Sequence, residues 1–200
     1  MMRLGVLLAL AGLVAGCAEQ PEVTATPAEV AQAAYRHPGP PTITLYTMVN
    51  NRSNSGAHSA LMVSGSERVM FDPAGTWYHP YLPQVGDTHY GIKPEVEDFF
   101  IDYHARTTYR VVRQQVEVSP EVAERALALV RAHAAVGPAF CSNAISGVLA
   151  GTPGFEGVGR SFFPSSIMRG FATLPNVRED VFRDDDPDEK EYAVRRYVQG

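Results

Sequence analysis

A chain of 200 residues with 45% hydrophobic residues has the apolar content of a folded protein. Its net charge of −5 argues against nucleic-acid binding, which draws on basic side chains. Two cysteines exclude a disulfide-rich scaffold.

The chain opens with a short basic start at Arg3, an almost wholly apolar run from Leu4 to Val14, and the small residues Ala15 and Gly16 before Cys17. That run falls short of the about 20 residues a membrane-spanning helix needs, so it is expected to be the core of a signal peptide. Cleavage is expected before Cys17, with lipid on its sulfur, giving a signal peptide over 1–16. Ala18 carries no acidic retention cue, so the expected address is the outer membrane, facing the periplasm. Glu19 to Pro41 is rich in Ala, Pro, Glu and Gln, a composition that buries little apolar surface, and 17–41 is expected to be a lipidated tether.

About 160 residues remain, enough for one domain with a core. Thr42 to Val49 alternates as a strand does. Asn50 to Gly56 is a polar loop, and Ser59–Val63 and Arg68–Phe71 are expected to form a hairpin. Pro73 to Gly91 reads as a loop full of Pro, Gly and aromatic residues. Pro94 to His104 is expected to be helical, with proline in its first turn, and Tyr109 to Val118 a strand. Ser119-Pro120 caps a helix whose apolar stripe holds Val122, Ala126, Leu129 and Val130. Gly137-Pro138 ends it, and another helix starts near Cys141 and runs to Gly151. Residues from Gly151 to Pro175 read as irregular. Arg178 to Lys190 is an acid-dominated charge run, expected to be solvated surface or a loose tail. The domain is therefore expected over 42–177 and an acidic tail over 178–200. The fold class is α+β: a small antiparallel sheet with helices packed on one side.

With Cys17 carrying lipid, Cys141 has no partner within the chain. Its place at a helix start, where unpaired N–H groups and the helix dipole favour a thiolate, suits a nucleophile. A buried structural cysteine is the plain alternative. His58 opens a strand after a polar loop and has the ordinary pKa of a proton-transfer group. It shares a face with Ala60 and Met62. Asp72 ends the next strand. With a three-residue hairpin loop, Ser64 faces Arg68 and Asp72 lands on the face of His58; with a two-residue loop it points away. Both registers are open to the sequence, as is a turn-initiating role for Asp72 before Pro73.

The order of a histidine strand, hairpin, helix, strand, helix and then Phe140-Cys141-Ser142-Asn143 resembles circularly permuted NlpC-type papain-like thiol enzymes, over roughly Thr42 to Phe171. The resemblance implies a permuted papain-like core with Cys141 as nucleophile, His58 as base and Asp72 as the third polar residue. A histidine or another polar group often fills that third place in the family. It implies a membrane-anchored envelope hydrolase, an amidase or peptidase acting through an acyl-enzyme, with cell-wall peptide as the leading substrate. Acyl transfer or ester hydrolysis on lipid, and a catalytically silent binding lipoprotein, are the alternatives. The expected partners are a membrane, through lipid on Cys17, and that peptide or lipid; no nucleic acid and no cofactor is expected.

Other residues carry weaker signals. His79 and His89 flank an aromatic loop with Trp77, Tyr78, Tyr81 and Tyr90 and could line a cleft or bind a metal. Metal ligands usually come at tighter spacing with carboxylate or thiolate company, so no metal is expected. His133 is expected on the apolar stripe of its helix. Ser53, Ser55 and Ser165-Ser166 match no nucleophile elbow.

Overall fold

The computed structural model describes residues 24–199; the signal segment and Cys17 lie outside the described residues. Within them the chain is α+β, with one seven-stranded antiparallel sheet and six α-helices. The strands are β1 (Thr42–Asn50), β2 (Gly56–Ser64), β3 (Arg68–Phe71), β4 (Gln84–Val85), β5 (Thr88–Tyr90), β6 (Tyr109–Glu117) and β7 (Arg178–Phe182), in the order β4-β5-β3-β2-β1-β6-β7. The helices are α1 (Pro27–Ala33), α2 (Pro94–His104), α3 (Pro120–Arg131), α4 (Cys141–Ala150), α5 (Pro164–Phe171) and α6 (Lys190–Gln199). No helix of the described residues is long and apolar enough to cross a membrane.

The β2–β3 hairpin settles the open register. Ser64 pairs with Arg68 and Leu61 with Phe71, so Gly65-Ser66-Glu67 is a three-residue loop. Successive side chains along a strand alternate between faces. Leu45, Leu61, Val63 and Phe71 therefore enter one core, against Leu127 and Val130 of α3, Ile145 and Val148 of α4, and Ile167 and Phe171 of α5.

Helices cover both faces, which corrects the expectation of helices on one side. The second face of the same strands carries Tyr46, Met48, Met62 and Met70, all buried. Phe99 and Phe100 of α2, Ala193 of α6 and Trp77 cover them. Central strands with apolar residues on both faces need two covering layers, and the alternation read from the sequence did not reveal that both faces were apolar.

Three further segments differ from expectation. The described part of the expected tether is docked: Thr26 and Glu29 form a reciprocal capping box on α1, Ala25 N–H donates to the Gln84 carbonyl, and Arg68 N–H donates to the Tyr35 carbonyl. The irregular stretch before Pro175 contains α5, entered through Pro164. The acid-rich run is ordered as β7 and α6, because its charges meet partners. Arg113 pairs with Asp180 across the β6–β7 ladder, and Gln114 donates to Glu179. The Tyr197 ring of α6 stacks on Phe99, with centroids 4.3 Å apart.

A buried polar knot ties the second core to the sheet. Glu97 of α2 accepts from Arg68 (2.5 Å), Arg113 (3.0 Å) and Tyr46 Oη (2.6 Å). Arg68 is buried, and its Nε and Nη1 have no partner among the described residues, so Glu97 alone answers its charge there. Removing one member of a buried pair strands the other charge at a cost of about 3–5 kcal/mol, whereas replacing both with apolar groups can be neutral. Glu97→Ala is expected to lower stability in chemical denaturation by that amount, and Arg68→Met with Glu97→Leu to cost much less. A Glu97→Ala protein as stable as the parent would contradict this role.

Candidate functional site

β3 stops at Phe71, opposite Leu61, so β2 residues before Leu61 have no ladder partner on that side. The notch is where the three candidate side chains meet. A bulge places Ala57 between the pairs Met48–His58 and Val49–Gly56, twisting β2 beside His58. Asp72 follows β3 directly and turns back under the sheet, with Gly75 N–H donating to its carbonyl. α4 lies on the other face against β2, and its first residue, Cys141, reaches the notch.

His58 Nε2 lies 2.6 Å from Asp72 Oδ1, and His58 and Cys141 are near enough for each to shift the other's ionisation. Asp72 and Cys141 are buried, and the His58 side chain is 18% exposed, so the imidazole still meets solvent. The Cys141 thiol is free. The Ser142 hydroxyl lies 3.8 Å from Sγ, and the Ser59 backbone, in the open edge of β2, helps to lower the thiol.

The charges follow from these contacts. Burial disfavours a charged His58, but the Asp72 carboxylate, by charge and hydrogen bond, and Cys141 more than offset it and raise the imidazole to about 10. Burial pushes the Cys141 thiol up, yet His58, Ser142 and the Ser59 backbone outweigh it and hold the thiol below its ordinary value. Burial likewise opposes the Asp72 charge, and His58 with the nearby His104 and His89 hold its carboxyl below the usual range. A lowered thiol beside a raised imidazole favours the thiolate–imidazolium form of the pair.

Two features of the site gave no clear signal in the sequence. His104, at the end of α2, stacks on His58 with centroids 6.2 Å apart and an interplanar angle of 23°. Its Nδ1 donates to the Phe100 carbonyl (2.8 Å), and burial drives its pKa down to about 3, so a neutral ring backs the imidazolium. Gly75 is the other. A Cβ there would overlap Asp72 Oδ2, so only glycine lets the turn close over the carboxylate. A histidine at a helix end and a glycine in a loop rich in them look ordinary until the turn is seen.

The remaining histidines lie elsewhere. His89 packs its ring on Trp77, 4.6 Å between centroids, and His79 is 3.1 Å from Tyr197 Oη; burial lowers both to about 4. They belong to the aromatic core beneath the site. His133 falls after the end of α3, half-buried with its ring on Phe71, and not on the helix stripe as expected, because α3 ends at Arg131. Asp102, Asp184 and Asp186 come together, but the group surrounds Arg106, which pairs with Asp102 and Asp186. The cation that neutralises them is already in the chain.

No family model, no curated protein and no solved structure matches this chain. What the fold and the site define is an α+β protein in which a cysteine at a helix start, a strand histidine and a buried aspartate converge.

Removing the carboxylate from His58 leaves burial as the dominant influence on the ring. Gly75→Ala, by displacing Asp72, is expected to bring the His58 pKa from about 10 to well below it, followed by nuclear magnetic resonance of the histidine ring. An unchanged titration would show that the turn tolerates a methyl group and that Gly75 plays no part in holding Asp72.

Proposed function

We propose that this protein is an envelope thiol hydrolase, an amidase or peptidase, that works through a Cys141 acyl-enzyme and is held on the membrane by lipid on Cys17. The permuted NlpC-type papain-like core suggested by the order of elements fits this reading. The observation that carries it is the Asp72–His58 bond of 2.6 Å, with His58 electrostatically coupled to Cys141 in a notch where the imidazole meets solvent.

The steps follow from that arrangement. The Cys141 thiolate attacks the carbonyl carbon of the substrate, forming a C–S bond while the carbonyl electrons move onto oxygen. The first N–H groups of α4 have no intrahelical acceptor, and the one on Cys141 is the natural donor to the oxyanion. As the tetrahedral species collapses, the carbon–nitrogen bond breaks and a His58 proton passes to the departing amine. A water molecule then gives its proton to His58 and attacks the thioester, releasing the acid and restoring the thiolate–imidazolium pair. Asp72 keeps the ring oriented and compensates its positive charge throughout.

Turnover needs the thiolate and the imidazolium together. Activity is therefore expected to rise as pH passes the lowered thiol pKa and to fall as His58 loses its proton near 10. With a chromogenic amide or activated ester, intact-protein mass spectrometry is expected to trap one acyl group, absent in Cys141→Ala. His58→Ala is expected to slow turnover by about 10²–10⁴-fold. No acyl adduct and no turnover with either substrate class would sink the hydrolase reading and favour a binding protein on the same scaffold.

A further inference from the structure

The residues beside the nucleophile include three aromatic side chains held out in water. Phe140, which precedes Cys141, is 47% exposed, Phe162 is 52% and Phe163 is 71%. Exposed single apolar residues are ordinary, but a contiguous aromatic group marks an interaction site. Phe140 and Phe162 meet edge to face, with centroids 5.6 Å apart.

The backbone fixes this group and does not leave it to a loose loop. Ala139 takes a left-handed φ of 69°, and Phe140 N–H donates to the Gly137 carbonyl, a tight turn that throws Phe140 outward at the start of α4. On the other side, Ser161 N–H donates to Ser146 Oγ of α4 (3.2 Å). Four residues on, Ser165 Oγ accepts from Gly56 N–H (2.7 Å) at the start of β2. A Cβ on Gly56 would lie 2.7 Å from Ser165 N, so the two backbones touch. The Phe162-Phe163 pair therefore crosses from the helix that carries Cys141 to the strand that carries His58. This side of Cys141 is therefore flanked by Phe140, its neighbour in the chain, and by Phe162, whose ring packs on Phe140.

We infer that Phe140, Phe162 and Phe163 form a subsite for an apolar group flanking the reacting carbonyl, and that they set the preference of the site for apolar substrates. The inference rests on Cys141 being the reacting group. The rings present apolar faces, and burying each methylene of a ligand on such a surface favours binding, so two or three methylenes suffice for a tenfold preference. Aliphatic and aromatic groups share this chemistry; the first would come from a lipid acyl chain and the second from an aromatic residue of a peptide.

The test uses N-substituted iodoacetamides on the full chain, because alkylation of Cys141 reads the subsite without needing turnover. The quantity is the rate with the N-octyl or N-benzyl reagent divided by the rate with unsubstituted iodoacetamide, in each protein. A ratio of about tenfold or more is expected in the parent. A value near one is expected in Phe162→Ser with Phe163→Ser, and an intact ratio in Tyr81→Ser, an exposed aromatic outside the group. Octyl above benzyl assigns an aliphatic chain, and benzyl above octyl an aromatic residue. A parent ratio near one, or a ratio unchanged in the double variant, overturns the inference. So does a double variant that keeps its ratio but loses binding to phosphatidylethanolamine–phosphatidylglycerol vesicles, which would make the rings a membrane contact. Failure of the hydrolase reading shows separately, in the absence of an acyl adduct on Cys141.

Discussion

Asp72 is a carboxylate with almost no exposed surface, and a charge so placed has to be answered from inside the protein. His58 answers it at 2.6 Å. That one bond orients the imidazole and raises its pKa to about 10 beside Cys141. It also explains the surroundings: glycine at position 75, where a methyl group would strike the carboxylate, and a neutral His104 behind the ring. A second cation stacked on an imidazolium would have opposed it, and burial of His104 removes that charge.

The sheet exists in the form that permits this bond. β3 is short, ending where Asp72 begins, so the edge of β2 is left open for the helix start that brings the thiol. Two helical layers then hold the notch from opposite faces. α4 delivers Cys141 from one core, and α2 delivers His104 from the other. Cys141 and His58 thus come from different sides of one sheet and approach each other where a strand is missing. Segments far apart in the chain, the α1 region and β7 with α6, complete the edges and the second layer.

Much of this was legible in the residues. Strand alternation and the Ser119-Pro120 cap have local causes and made β1, the hairpin and the start of α3 legible, whereas α3 ends at Arg131, short of the Gly137-Pro138 stop read from the residues. His58 and Asp72 could be placed on one face only by choosing a loop length, and periodicity does not choose; packing of Leu61 and Val63 into the core does. What stayed hidden depends on contacts distant in sequence. The acidic run looked solvated because the partners of Asp180 and Glu179, Arg113 and Gln114, lie far off in sequence in β6. The docking of α1 and the second helical layer are likewise tertiary facts. The influence of Ser59 on the thiol comes from its backbone, and no side-chain pattern reports it.

The coupling of the three residues is tested most directly by the ionisation of Cys141 itself. Thiolate absorbance in the ultraviolet, taken as the difference from Cys141→Ala, follows that one group in the parent and in His58→Ala. In the parent, a thiol pKa clearly below the free value of about 8.5 is expected, with the thiolate lost only on acidification. In His58→Ala, the pKa is expected to rise to or above the free value, because burial then acts without the imidazolium to oppose it. Identical titrations in the two proteins would mean that His58 does not govern the thiol, and that the contacts among Asp72, His58 and Cys141 are structural.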